Sequence, residues 1–181
     1  MKIYADNAAT TRMSRTAIDA MLPYLDEIYG NPSSLYSEGQ RAKEVSEAAR
    51  KDIAQIINAD PREIIFTSGG SEADNQAILS AAALGQKAGK RHIISSSIEH
   101  HAVLHTLNKL EKLGFEITLL PVHENGIVRP DELDKAIRED TCLVTVMFAN
   151  NEIGTIQPIR EIGEICRAHK VLFHTDAVQA I

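Results

Sequence analysis

The sequence predicts an α/β fold built on a mainly parallel sheet, and three observations carry that expectation. From about residue 63 onward, short β-branched runs alternate with longer helical patterns, the order produced when covering helices join parallel strands. The runs Ile64-Ile65-Phe66 and Leu143-Val144-Thr145-Val146-Met147-Phe148 are apolar nearly throughout, as strands covered on both faces must be. No internal repeat, low-complexity tract or Pro/Gly/Ser linker interrupts the alternation.

The elements follow in order. Asp6-Asn7-Ala8-Ala9-Thr10-Thr11 is small and polar and reads as a loop. A helix is expected over 14–28, and Gly30-Asn31-Pro32-Ser33-Ser34 breaks it. A long helix over 38–58 carries Ala42, Val45, Ala49, Ile53 and Ile56 at helical spacing, with Pro61 beyond its end. Strands are then expected over 63–67, 92–96, 116–122, 143–149 and 171–175, and helices over 72–87, 101–113, 131–139 and 159–169. The chain thus divides into a loop segment 1–12, helices over 13–58 and an α/β portion over 59–181.

Composition excludes several functions. With 44% apolar and 24% charged residues the chain reads as a soluble globular protein, and with no Trp its core must be aliphatic. A net charge of −6 without a long basic run argues against a nucleic-acid or anionic-membrane surface. Cys142 and Cys166 lack CxxC spacing and read as small core residues of a reducing compartment. The start has an acidic residue and no apolar run of signal-peptide length, and no stretch approaches a membrane span of ~20 residues. A cytoplasmic location is expected.

Parallel α/β sheets bind ligands beyond the carboxyl ends of their strands. After 63–67 come Ser68-Gly69-Gly70-Ser71-Glu72, where glycines let the backbone approach a ligand and Ser71 sits near a helix start. Free N–H groups there suit a phosphate, although a plain turn with Ser71 as N-cap would use the same residues. No Walker lysine follows and no GxGxxG is present, which disfavours a nucleoside triphosphate or a dinucleotide. After 171–175 comes Asp176, which shares a face with His174 if the strand persists. Such a carboxylate can orient a cation, for example a protonated pyridine nitrogen, or simply cap the next turn. Gln179 lies one turn on.

After 92–96 come Glu99-His100-His101, where His100 could stack on an aromatic ligand or shuttle protons. His101 and His105 share a helix face, but no HExxH pattern or third metal ligand is evident. After 143–149 come Asn150-Asn151-Glu152-Ile153-Gly154, which serve as turn chemistry or as an amide beside a substrate. Each cluster has an ordinary structural explanation. Together they supply a phosphate cradle, a ring partner, an imidazole and an amide at successive strand ends.

These residues closely resemble the cysteine desulfurases of the NifS/IscS group, within the class V aminotransferase superfamily. The likeness runs in order through Tyr4-Ala5-Asp6-Asn7-Ala8-Ala9-Thr10-Thr11, Gly30-Asn31-Pro32-Ser33-Ser34 and Asp60-Pro61-Arg62-Glu63-Ile64-Ile65-Phe66-Thr67-Ser68-Gly69. It continues through Glu99-His100, Asn150-Asn151-Glu152-Ile153-Gly154 and His174-Thr175-Asp176-Ala177-Val178-Gln179. The resemblance implies a three-layer α/β/α large domain of pyridoxal-phosphate fold type I, incomplete over 59–181. It implies a homodimer that converts L-cysteine to L-alanine and passes the sulfur to an enzyme cysteine as a persulfide. A sulfur-acceptor or iron–sulfur scaffold protein would receive it.

By position, the resemblance makes Gly70 and Ser71 the phosphate binders and His100 the catalytic imidazole against the pyridoxal 5'-phosphate ring. It makes Asn151 the amide near the ring oxygen and substrate, Asp176 the ring-nitrogen partner, and Gln179 the donor to the ring hydroxyl. Ser71 stands where relatives often carry Thr, and Tyr36 lies in a stretch where many have His. Relatives continue beyond residue 181, where the resemblance places the lysine that binds the cofactor covalently, the sulfur-accepting cysteine and a substrate-binding arginine. The 181 residues alone are therefore expected to be inactive and to bind the cofactor weakly. Two other readings stand beside this one: a selenocysteine or cysteine-sulfinate lyase of the same superfamily, and a non-catalytic binding module.

Overall fold

Residues 3–7, 9–178 and 180 are described by a computed structural model of the chain, which divides into two units, Met1–Phe66 and Thr67–Ile181. The first unit is helical. Helix α1 spans Arg15–Asp26, and Ser14 caps it by accepting a hydrogen bond from Ala17 N at 3.1 Å. Helix α2 spans Ser37–Ile57 and ends at Asn58 in the left-handed region, φ 55°. Its first turn lies against the Asn31–Ser34 loop so closely that a Cβ at Gly39 would sit 2.6 Å from the carbonyl oxygens of both Asn31 and Ser34. Within that loop Asn31 Oδ1 accepts from Ser33 N at 2.9 Å, so in this unit the Asn-Pro-Ser-Ser segment is a side-chain-braced turn.

The strand expected over 63–67 does not form. Asp60 accepts from Arg62 N, and Glu63 reaches back to Asp60 N, both at 2.8 Å; this capping box winds Pro61–Glu63 into a 3₁₀ turn. Ile64 that follows is extended, but the sheet does not include this run, and a lone strand has no partners for its backbone. Ile65 and Phe66 are 67% and 51% exposed instead of covered on both faces. Arg50 steadies the segment by donating to the Ile64 carbonyl and lying 4.8 Å from the Phe66 ring centroid.

The second unit is the α/β layer structure that the alternation predicted. It contains α3 (Gly70–Lys87), β1 (His92–Ser96), α4 (His101–Lys112), β2 (Glu116–Leu120), α5 (Pro130–Ala136), β3 (Thr141–Thr145), α6 (Ile159–Ala168) and β4 (Leu172–His174). The four strands pair in parallel in the order β2-β1-β3-β4. Period-two alternation sorts the strand side chains between two cores. Ile93 and Leu143 pack with Ile78, Val103 and Leu107 of α3 and α4. Ile94 and Val144 pack on the opposite face with Leu133 and Ile162 of α5 and α6. The result is three layers, α/β/α.

Several boundaries differ from expectation for local reasons. β2 stops at Leu120 because Pro121 has no N–H to donate. α5 stops at Ala136 because Ile137 is extended and Arg138 N donates to Thr141 Oγ1 at 2.8 Å. β4 is formally short, yet Val146 N donates to His174 O at 3.1 Å and Phe148 N to Asp176 O at 2.8 Å, so the pairing continues to residue 176. At the opposite edge the fully buried His92 joins three strands, with Nδ1 and Nε2 each 2.8 Å from the hydroxyls of Thr141 and Thr118. Burial, more than the nearby Arg138, pushes its imidazole below the ordinary histidine range.

Candidate functional site

The strand order places a topological switch point between β1 and β3, since the connections from these strands leave toward opposite edges. The crevice beyond their carboxyl ends is where an open parallel sheet receives a ligand. Glu99, the last residue of the turn after β1, spans it. One carboxylate oxygen, Oε1, accepts from Ser96 Oγ at 2.5 Å and from Met147 N, just past β3, at 2.9 Å. The side chain is buried, and Oε2 has no hydrogen-bond partner among the described residues. Burial, with the Asp176 charge adding to it, pushes this carboxyl up to about 7, against the opposing effects of Ser96, Met147 and His174.

His100 is the N-cap of α4: its Nδ1 accepts from Ala102 N at 3.1 Å. The neutral ring then carries its proton on Nε2. His100 borders two hollows. One, a cavity of about 270 Å³, is shared with Glu99, Asn150, Asn151 and Ile153. The other, a groove of about 500 Å³, is shared with Ser71, Asn75, His105 and Lys109. His100 thus stands between Asn151 and Ser71, which are 80 residues apart in sequence.

The Asn pair after β3 divides its labour. Asn150 is a brace: its amide donates to Ile98 O at 2.9 Å, and Oδ1 accepts from Glu152 N at 2.9 Å and Ile153 N at 3.0 Å. Asn151 is exposed, and its side-chain amide makes no hydrogen bond among the described residues, which leaves it available to a ligand.

The phosphate-type turn is also open to a ligand. Helix α3 begins at Gly70, with Gly69 as N-cap, so Ser71 is the second helical residue and not the cap. The amides of Gly70 and Ser71 have no acceptor among the described residues. Glu72 instead serves Ser68, accepting from its N at 2.7 Å and its Oγ at 2.5 Å. These Ser68 hydrogen bonds hold the Glu72 carboxyl below its usual range. A Cβ at Gly70 would lie 2.5 Å from Val178 Cγ2, so the start of α3 abuts the segment after β4. In that segment Asp176 is 8% exposed and its Oδ1 accepts from Val178 N at 3.0 Å. His174 hydrogen-bonds Thr145 Oγ1 through Nδ1 at 2.8 Å and points Nε2 toward the buried Asp74 of α3 at 3.6 Å. Gln179 lies outside the described residues.

Unpartnered helix-start amides therefore neighbour a buried carboxylate, with an imidazole and an amide alongside. That set suits a small ligand with an anionic tail and a cationic ring. Two side chains near this crevice carry buried, unpartnered oxygens, Glu99 Oε2 and Thr175 Oγ1. Sequence reasoning weighed neither Glu99 as a clamp nor the Thr145–His174–Asp74 chain. For Glu99 the available signal was Ser96 three residues earlier at a strand end. Other reactive groups lie elsewhere. Cys142 and Cys166 are buried, and burial pushes their thiols up, Cys166 to about 11. Lys170 precedes β4, at the opposite end of that strand from Asp176. His101 and His105 rings are 5.6 Å apart, and among the described residues no group of three ligating side chains is placed to hold a metal.

The fold and crevice define a three-layer α/β protein with a buried glutamate at the switch point of its parallel sheet and open helix-start amides beside the segment after β4. The aminotransferase class-V family model matches residues 3–181, and the chain belongs to that family. It is 57% identical over 179 residues to a cysteine desulfurase IscS of Methanosarcina thermophila, covering 99% of this chain and 44% of that protein. It is 52% identical over 180 residues to a cysteine desulfurase IscS of Clostridium botulinum, covering 99% and 45%. The chain thus spans about half the length of the curated relatives it matches. Among solved structures, a NifS-like protein aligns with TM-score 0.93 at 40% identity, over 97% of this chain and 48% of that one. SspA in complex with cysteine aligns with TM-score 0.90 at 39% identity, over 95% and 49%.

Proposed function

We propose that this chain is part of a pyridoxal-phosphate-dependent cysteine desulfurase and supplies the phosphate, ring-nitrogen and ring-face contacts of its active site. The observation that supports this reading is the approach of Gly70 to Val178, two residues from Asp176, which puts the helix-start amides and the carboxylate on neighbouring segments. The donor set fits the cofactor. The open amides of Gly70 and Ser71, with the Ser71 hydroxyl, hold its phosphate at the positive end of an 18-residue helix. Asp176 keeps the ring nitrogen protonated. When bound, pyridoxal phosphate supplies an electron sink for charge developing at the substrate α-carbon. His100 would lie against the ring and could exchange a proton through Nε2, since Nδ1 is engaged by Ala102 N. Asn151 would donate its amide to the ring oxygen or the substrate carboxylate, and Gln179, outside the described residues, would donate to the ring hydroxyl.

The substrate of this reading is L-cysteine and the products are L-alanine and a persulfide, delivered by a cytoplasmic homodimer to an acceptor or iron–sulfur scaffold protein. Residues 59–181 belong to the cofactor domain, preceded by the loop 1–12 and the helices 13–58. In this reading the 181 residues alone turn over no cysteine, because both thiols are buried in the two cores and neither can accept sulfur at the crevice. The test is the full-length protein with L-cysteine, with L-selenocysteine and cysteine sulfinate in parallel, measuring bound cofactor by absorbance and alanine by chromatography. Cofactor binding with alanine from cysteine is expected. A protein that binds no pyridoxal phosphate, or forms alanine only from another substrate, overturns the assignment.

A further inference from the structure

The reaction outlined above gives Glu99 no part, yet it is the side chain that spans the switch point. Its Oε1 joins Ser96 of β1 to the Met147 amide beyond β3, so both strand ends meet on one atom. His100 follows it directly, and Asn150, four residues past β3's neighbour Val146, holds the same turn from the other side through Ile98 O. Among the described residues Oε2 is buried without a partner, and no Lys or Arg pairs with this carboxyl. An ionised carboxylate there would leave half its charge unsolvated, a cost that a neutral acid avoids.

We propose that Glu99 is a positioning residue: its carboxyl group, uncharged, clamps the ends of β1 and β3 so that His100 and Asn151 face one cavity. The groups that face it are His174 and Asp176 from β4 and its continuation, Asp74 of α3 beyond His174, His100 and His101 at the start of α4, and Glu152 on the cavity wall. Its carboxyl, pushed up to about 7 chiefly by burial, keeps its proton through most of the range in which a free glutamate loses it. Burial disfavours the charged form of a carboxyl group, so environment alone can hold Glu99 neutral. The link to cofactor positioning rests on the function proposed above; the protonation of Glu99 does not.

The experiment uses the full-length protein and its Glu99→Gln and Glu99→Ala variants. Infrared difference spectra of cofactor-free protein, with and without 13C-glutamate, read the protonated carboxyl directly. The parent should show an isotope-sensitive carboxylic acid band that titrates near pH 7 and is missing in Glu99→Gln. Stability should follow suit. A carboxyl raised in the folded state contributes fully below 4.5 and loses that contribution as pH rises through about 7, and Glu99→Gln should flatten the slope. Pyridoxal phosphate should bind Glu99→Ala roughly tenfold more weakly, the scale of losing a buried clamp of two hydrogen bonds. An ionised Glu99 at pH 6, or a Glu99→Ala variant that binds the cofactor as the parent does, overturns the proposal. If the parent binds no cofactor, the functional assignment falls while the infrared titration still decides the state of Glu99.

Discussion

Gly70→Ala isolates the contact on which the functional reading stands. The added methyl lies 2.5 Å from Val178 Cγ2, well inside the ~3.5–4.0 Å of an ordinary carbon contact. Overpacking costs about 1–3 kcal/mol, and the low end applies because Val178 is 58% exposed and can move. Alanine also favours a helix over glycine by up to about 1 kcal/mol, so the stability of the fold should change little. Ligand binding should change more. Val178 N is the donor to Asp176 Oδ1, so displacing Val178 disturbs the carboxylate as well as the cradle. Losing the alignment of one hydrogen bond is worth about 1 kcal/mol, or roughly fivefold in affinity. Val178→Ala deletes the colliding atom and should restore affinity in the double variant. The assay is absorbance titration of the full-length protein with pyridoxal phosphate, with urea unfolding in parallel. A Gly70→Ala variant that binds like the parent, or a double variant no better than Gly70→Ala, would refute the proposed adjacency.

Three further perturbations address other links. Asp176→Asn keeps an acceptor for Val178 N but removes the charge, so turnover of cysteine should fall on the order of a hundredfold or more with the cofactor still bound; equal rates would end the ring-nitrogen assignment. His92→Phe leaves the Thr118 hydroxyl without its imidazole partner and leaves Thr141 with only the Arg138 N–H, and should cost roughly 1–3 kcal/mol in urea unfolding. The pH dependence adds a sign: because the folded-state imidazole lies below 6.5, acidification protonates the unfolded chain first, and the parent should lose stability as pH falls below 6.5 more steeply than His92→Phe. Ile94→Ala empties a fully buried position between the sheet and α5/α6 and should cost about 3 kcal/mol, read from the shift of the urea midpoint; a loss under about 1 kcal/mol would contradict the packing described.

What could be read from the sequence followed how local its cause was. β1 matches its expected span of 92–96, because adjacent Ile93 and Ile94 are claimed by different cores and only an extended chain satisfies both. The long helix of the first unit was equally plain from its apolar spacing. Residues 64–67 misled because an apolar run signals burial only where partner strands exist, and the Asp60–Glu63 capping box had already committed the preceding residues to a turn. In the site, the sequence located the strand ends but not the roles within them. Asn150 and Asn151 are chemically identical, and only the approach of Ile98 O makes the first a brace and leaves the second open. Glu99 looked like an ordinary polar residue after a strand; its burial depends on Met147, 48 residues later.

Two clamps at the carboxyl ends of the strands frame the candidate site. One joins the start of α3 to the end of β4, through the Gly70–Val178 approach and the Asp74–His174 pair. The other joins the start of α4 to the end of β3, through Glu99 and Asn150. A ligand whose tail is held by the first and whose ring is flanked by residues of the second is oriented without any loop having to close on it. Each clamp uses a buried polar group that would cost stability if its partner were missing. The two clamps should therefore fail differently: loosening the first weakens the hold on an anion, and loosening the second leaves the anion held but misaligns His100 with Asn151. Comparing inorganic phosphate and pyridoxal phosphate binding in Gly70→Ala and Glu99→Ala separates these failures, because phosphate alone senses only the first.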